Sequence, residues 1–475
     1  MTPQVRTRFA PAPTGNLHIG GARSALFNYL FAKNKGGSFI LRIDDTDVER
    51  SKPEFEKDIL ESFEWLKIPY DEGPIRQSDR LDIYENYLKK LLKENKAYYC
   101  FCREEELEAQ RQEQMSRGEA PKYSGRCSKL SKTEVEKNLK EGKPSVIRFA
   151  VEPKKVKFKD IIRQEVEFDM GLAGDIVIAK TLTCPLYNFT SVVDDSEMKI
   201  SHVIRGEEHL SNTPRQILLQ EALGFDRLEY AHLPLILSPD RSKMSKRQGD
   251  VAVSDYRKEG YLPEAIINFI AFLGWNPGNE REIYALPSLI KEFSLERVQK
   301  AGAIFNVQRL DFLNGFYIRQ RSMEKLTELC LAYLPALDFE QAKKIVFIHQ
   351  ERLKKLSEIA ELTDFFFQDK LNYDKGLLKW KDMTEKEIKE SLEKSEKIIS
   401  GIREENWETK ESLQNILLPE AEKLGDKGIL LWPLRAALSG KQTSAGPFEI
   451  AWALGKEKTL KRLKEAKEIL GNPIS

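Results

Sequence analysis

Residues 5–43 constrain this chain more than any other stretch. "VRTRFAP" reads as a strand, "GGARSALFNYLFAKNKGG" as a helix closed by Gly36 and Gly37, and "SFILRI" as a second strand. Strand, helix and strand in that order begin an α/β sheet. The turn between the first strand and the helix lies in "RFAPAPTGNLHIGGA", residues 8–22. Its prolines stiffen the loop, its glycines let backbone approach a ligand, and the helix N-terminus offers free N–H groups to an anion. That is a nucleotide site in outline, yet it holds neither a P-loop nor a dinucleotide fingerprint. His18 taken alone is an ordinary turn histidine. A further helix is expected from Ser51 as N-cap with Pro53 in the first turn, and Phe55, Ile59, Phe63 and Leu66 share its core face.

The chain has 475 residues, enough for about three domains or more, and its 41% hydrophobic content supports sizeable cores. The first segment lacks an apolar signal region and no long uncharged apolar run occurs, so neither export nor membrane insertion is expected. Five cysteines are too few for a disulfide framework and fit a reducing cytosol. With a net charge of +1, any polyanionic partner must be held by local patches. From about residue 96 to 190 the texture changes: a Cys pair, a charged helical stretch at "REEELEAQRQEQ", and β-like runs at "SVIRFAV" and "DIVIAK" read as an insertion. Strand signals in "LYNFTSVVDD" and "SHVIRGEEHL" then resume the first domain, and after about residue 255 the pattern is helical.

Four cations, Arg241, Lys243, Lys246 and Arg247, crowd into "SPDRSKMSKR". By itself such a loop reads as a solvated turn. Paired with "LHIG", however, "KMSKR" resembles the two signature motifs of class I aminoacyl-tRNA synthetases. The ordered series "RFAPAPTGNLHIG", "LRIDDTD", "YDEGP", "IRQSDR", "VVDD", "VIRGEEHL", "KMSKR", "PLRAALSG" and "PFEIAWALGKE" narrows the resemblance to the bacterial glutamyl-tRNA synthetases. It implies an α/β Rossmann-like catalytic domain with an α+β insertion, followed by an all-α C-terminal half. The implied limits are 1–95 and 191–254 for the catalytic domain, 96–190 for an insertion binding the tRNA acceptor end, 255–320 for a helical stem-contact domain and 321–475 for anticodon binding.

The resemblance further implies that the phosphates of ATP, carried with Mg²⁺, lie between the two motifs. His18, Lys243 and Lys246 then meet the charge that builds on departing pyrophosphate. Gly20, Glu208, Ile236, Met244, Ser245 and Arg247 complete the ATP site, with Gly21 standing where the usual motif has a second histidine. Two cationic centres suit an amino acid with two carboxylates, and the family positions supply Arg8 and Arg205. Arg8 is the choice for the side-chain carboxylate, because it follows the first strand at the floor of the cleft. Ala10, Ala12, Asp44, Tyr187 and Ser191 join the glutamate pocket; Ala12, Asp44 and Ser191 depart from the common family residues Ser, Glu and Asn.

In the insertion, Cys100, Cys102 and Cys127 could hold a structural Zn²⁺, which needs a fourth ligand. Lys129 stands where some relatives have histidine, so Tyr123 is the candidate; the alternative is three reduced thiols without metal. Cys184 and Cys330 read as packing residues. The implied reaction joins L-glutamate to ATP as glutamyl adenylate and transfers it to the terminal ribose of tRNA(Glu) through the 2′-hydroxyl. The first step is expected to wait for bound tRNA, and no protein nucleophile takes part. Arg352 is the one anticodon contact singled out. A monomer in the cytoplasm, without membrane contact, is expected. Two alternatives stand beside this reading: a non-discriminating enzyme that also charges tRNA(Gln), and an inactive RNA-binding paralogue.

Overall fold

The structure, a computed structural model, describes residues 4–242, 244 and 252–471. The chain forms two compact units, one of Met1–Arg257 with Pro263–Leu310 and one of Lys258–Leu262 with Asp311–Ser475. In the first unit β1 (Arg6–Phe9), α1 (Ile19–Asn34), β2 (Ser38–Ile43), α2 (Pro53–Leu66) and β3 (Glu72–Arg76) follow in order. The three strands pair in parallel in the order β1, β2, β3. The expected α/β start is therefore present.

Local chemistry explains both ends of α1. His18 is its N-cap, with Nδ1 accepting from Gly21 N at 3.2 Å. At the other end Gly36 takes φ +64° and Gly37 N donates back to Ala32 O at 2.8 Å, which is how a glycine pair stops a helix. A Cβ at Gly37 would lie 2.1 Å from Val5 O, so the chain can re-enter the sheet there only without a side chain. Helix α2 starts differently from expectation. Its N-cap is Lys52 without a side-chain cap bond, Pro53 opens the helix, and Ser51 Oγ is buried without a partner. Pro53 fixes the first turn on its own, so no capping hydroxyl is needed. Ile59, Phe63 and Leu66 are buried as expected, and Phe63 stacks on Phe9 and Phe39.

The chain continues through α3 (Leu81–Lys93), β4 (Ala97–Cys100), α4 (Glu104–Ser116), α5 (Lys132–Lys140), β5 (Val146–Phe149), the hairpin β6 (Lys155–Asp160) and β7 (Gln164–Asp169), β8 (Ile176–Thr181) and β9 (Cys184–Pro185). Strands β4, β5, β8 and β9 make an antiparallel sheet. The hairpin belongs elsewhere. It extends the sheet of β10 (His202–Gly206) and β11 (Glu229–Leu233), with β6 joined to β11 at Asp160 and Tyr230. Between β9 and β10 "YNFTSVVDDSE" is helix α6 (Tyr187–Glu197), not the strand its β-branched residues suggested. Burial overrides that weak local preference: Phe189, Val192 and Val193 face the core, while Asp194 and Asp195 meet buried arginines.

The second unit is helical throughout its longer elements, including Glu358–Phe367, Glu385–Ser400, Gly428–Ser439 and Lys456–Gly471. Its core gathers Phe365, Leu392, Leu434 and Leu463. Arg462 is 1% exposed there and donates to the carbonyls of Leu438, Phe365 and Gln368. Arg352 lies exposed in a short turn at Gln350–Arg352. No helix among the described residues is long and apolar enough to cross a membrane.

Candidate functional site

A cavity of about 1150 Å³ opens in the first unit, where β1 leads into α1 and the ends of β2 and β10 meet the start of α6. Its walls bring together Arg8, Ala10, Ala12, His18, Gly20, Asp44, Tyr187, Ser191, Arg205, Glu208, Ile236 and Met244. Lys243, Ser245, Lys246 and Arg247 lie outside the described residues.

One wall is a closed ion network. Arg8 grips Asp195 through Nε and Nη2, at 3.0 and 3.2 Å. Arg42, wholly buried, reaches Asp44 Oδ1 at 2.6 Å, Asp44 Oδ2 at 3.1 Å and Asp195 Oδ1 at 2.7 Å, and donates to Ser191 Oγ at 3.4 Å. Asp194 takes hydrogen bonds from Gln77, Arg80 and Tyr84 at 2.7–2.9 Å. Three guanidiniums thus face three carboxylates, and charge is balanced before any ligand arrives. Burial opposes the charge of Arg42, but Asp44 and then Asp195 outweigh it and hold its pKa well above the ordinary value. Burial likewise raises the pKa of Asp44 against the pull of Arg42.

Arg205, on the opposite side of the pocket, is built differently. It is 6% exposed and meets Tyr187 OH at 3.3 Å, Thr213 Oγ1 at 2.8 Å, His232 Nε2 at 3.3 Å and the carbonyl of His209 at 3.5 Å. Among the described residues no carboxylate pairs with it. His209, 3.3 Å from Tyr187 OH, is pushed down to about 4 by burial first and by Arg205 second, so it is neutral at physiological pH.

Two acids follow Arg205. Glu207 accepts from Leu235 N at 2.8 Å and pairs with Arg163 in the β6–β7 turn, which steadies the backbone leading to Ile236. Glu208 folds back over Gly206 so closely that a Cβ there would lie 2.2 Å from its carboxylate. Arg23 donates to the carbonyls of Pro234 and Leu273, bracing the same segment. At the mouth of α1, His18 Nδ1 accepts from the helix, so the neutral ring carries its proton on Nε2, where it can donate to a phosphate oxygen. Asp44 keeps lone pairs beyond those that Arg42 uses, enough to accept from an ammonium group.

In the insertion the sulfurs of Cys100, Cys102 and Cys127 lie within 4.8 Å of one another. Tyr123 OH sits 3.3 Å from Cys100 Sγ and 3.4 Å from Cys102 Sγ, and Cys102 and Cys127 are 3.5 Å apart. Sulfurs around one tetrahedral zinc stand about 3.8 Å apart, so the cluster suits that ion. Cys184 is half-buried and Cys330 buried, neither in this cluster.

Several contributors had not been singled out as site residues: Arg42, Asp194, Asp195, His209, His232 and Asp160. "LRIDDTD" and "VVDD" hold Arg42, Asp194 and Asp195, and "VIRGEEHL" holds His209, but no motif quoted from the sequence holds His232 or Asp160.

Residues 4–312 match the family described as tRNA synthetases class I (E and Q), catalytic domain, and residues 325–467 match an anticodon binding domain. The chain is 46% identical over 472 residues to glutamate–tRNA ligase 2 of Thermoanaerobacter pseudethanolicus, covering 98% of both chains. It is equally 46% identical to glutamate–tRNA ligase 1 of Caldanaerobacter subterraneus, over 98% of both. A crystal structure of a glutamate tRNA ligase from Elizabethkingia meningosepticum, in complex with its amino acid, superposes with a TM-score of 0.86 at 36% identity, covering 98% of this chain and 99% of the other.

Proposed function

The chain belongs to the glutamyl-tRNA synthetases of class I, and from that premise we propose a division of labour in its cavity in which Arg205 anchors the side-chain carboxylate of glutamate. The enzyme joins L-glutamate to the 3′ end of tRNA in an ATP-dependent reaction through glutamyl adenylate. One observation carries the assignment: Arg205 is a buried guanidinium in the pocket with no acid paired to it among the described residues, whereas Arg8, favoured by sequence reasoning, already holds Asp195. The chemistry points the same way. The α-carboxylate loses its charge when it bonds to the α-phosphate, while the side-chain carboxylate stays ionised throughout and suits a permanent, uncompensated cation. Glutamine offers an amide there and leaves the guanidinium poorly paired.

In the same reading Tyr187, Ser191, Ala10 and Ala12 shape the glutamate subsite, Asp44 receives the ammonium group, and Arg8 offers a spare N–H to the α-carboxylate. His18, Gly20, Glu208, Ile236 and Met244 line the ATP subsite, with Lys243, Ser245, Lys246 and Arg247 assigned to the phosphates by family resemblance alone. Positioning and aimed charge carry the reaction. The domain limits given above are retained as functional divisions, in a monomeric, cytoplasmic enzyme that binds tRNA(Glu).

Measuring kcat/KM for glutamate decides the arginine assignment. Arg205→Gln should lower it by at least about a hundredfold, with a smaller loss for Arg8→Gln. The reverse order of losses would return the side-chain role to Arg8. Charging assays with transcripts of tRNA(Glu) and tRNA(Gln) distinguish the discriminating from the non-discriminating enzyme.

A structural Zn²⁺ on Cys100, Cys102, Cys127 and Tyr123 would cross-link the end of β4 to the loop ahead of α5. Elemental analysis of chelator-free protein should find about one zinc per chain. Metal near zero would leave three thiols.

A further inference from the structure

We propose that His232, oriented by Asp160, is a positioning residue that holds the guanidinium of Arg205 in the glutamate subsite without neutralising it; this rests on the assignment of Arg205 to the side-chain carboxylate. Arg205 and His232 are direct partners in the register of β10 and β11, and both are buried. Arg205 Nε lies 3.3 Å from His232 Nε2. Arginine only donates, so Nε2 must present a lone pair, and the proton of the neutral ring must sit on Nδ1. Nδ1 is 2.6 Å from Asp160 Oδ2, which receives that proton's hydrogen bond and fixes the tautomer. Thr213 Oγ1 lies 3.0 Å from the same Nε2 and accepts from Arg205 Nη2 at 2.8 Å.

The guanidinium is therefore gripped by neutral groups alone among the described residues, and the acid that orients His232 stands on the far side of the imidazole. A carboxylate in the place of His232 would hold Arg205 more tightly, but it would cancel the charge that the substrate needs. Arg8 and Asp195 show that outcome across the pocket. Asp160 is itself locked. Its Oδ1 accepts from Ile162 N at 2.9 Å and Arg163 N at 2.7 Å, and its Oδ2 accepts from His232 N at 3.1 Å. Burial also keeps His232 below the ordinary histidine range, which favours the neutral ring.

Two replacements of His232 separate positioning from packing. Asparagine can still donate to Asp160 but is too short to offer an acceptor to Arg205; glutamine places an amide oxygen near the former Nε2. In full-length enzyme with tRNA(Glu) transcript, His232→Asn should raise the KM for glutamate about tenfold or more, leave the KM for ATP within about twofold, and narrow the preference for glutamate over glutamine. His232→Gln should recover most of the loss. Asp160→Asn should behave like His232→Asn: the two backbone N–H groups keep the amide oxygen, the amide nitrogen faces Nδ1, and the ring proton is driven to Nε2 against Arg205. Nitrogen-15 NMR of histidine-labelled enzyme reads the wild-type tautomer directly, with only five histidines to assign. A proton on Nε2, equal losses in the Asn and Gln variants, or an ATP KM that rises in step would overturn the relay even where Arg205→Gln has lost glutamate. An Arg205→Gln enzyme with unaltered glutamate KM would overturn the Arg205 assignment and the relay with it.

Discussion

Two arginines, one in each unit, are buried almost completely and live in opposite surroundings. Arg42 is packed against carboxylates, and its pKa is held well above the ordinary value because Asp44 and Asp195 outweigh the cost of burial. Arg462 meets carbonyl oxygens, and burial, opposed mainly by Glu465, brings it down to about 10. Those carbonyls belong to the last turns of the helices Gly428–Ser439 and Glu358–Phe367 and to Gln368 just beyond, where unpaired acceptors and the helix dipole favour a cation. The helical unit therefore uses a buried cation to finish helices. The catalytic unit uses one to hold three acids in place around a pocket, so its charge is spoken for by Asp44 at the end of β2 and by Asp194 and Asp195 on α6.

The contrast breaks most clearly at Arg42. Replacing it with Met leaves Asp44 buried without its guanidinium and Asp195 with Arg8 alone, and the expected destabilisation is about 3–5 kcal/mol, read as a lower urea midpoint together with loss of glutamate activation. Arg462→Met strands neutral carbonyls only, so about 1–3 kcal/mol is expected, with glutamate KM unchanged. Equal losses in the two variants would mean that the acids around Arg42 contribute no more than carbonyls do. The smallest effect tests the uncompensated side of the pocket. His209 falls from the ordinary 6.5 to about 4 in the folded state, through burial and then Arg205. Between those values the unfolded chain binds a proton that the folded chain refuses, so stability declines as pH falls from about 6.5 towards about 4. His209→Asn should make that decline shallower, as followed by melting temperature against pH; an unchanged slope would place the refused proton on other histidines.

The sequence announced what is local. Gly36 and Gly37 mark the end of α1 because one adopts a left-handed backbone and the other donates back to Ala32 O, and both signals lie within the helix's own neighbourhood. The turn before α1 was readable for the same reason. What stayed hidden depends on partners far along the chain. Arg8 and Asp195 are 187 residues apart, and His232 and Asp160 are 72 apart, distances that leave no periodic trace. So the pocket's arginines could be named from family positions, but which of them arrives already neutralised could not. The strand expected at "LYNFTSVVDD" failed on the same ground: its helical form is decided by the core and the arginines it packs against.

Gly206 stands between Arg205 and the acids Glu207 and Glu208, of which Glu208 lines the cavity, with its carboxylate lying where the glycine's side chain would begin. In genetic terms this position has no conservative missense neighbour. Every missense change of a glycine codon adds at least a Cβ, and here that atom would arrive 2.2 Å from an oxygen at the tip of a flexible side chain. Glu208 can swing aside, so such alleles should yield a folded, abundant protein that fails in ATP use. A screen scoring only protein level would pass them as harmless, while one scoring growth would not.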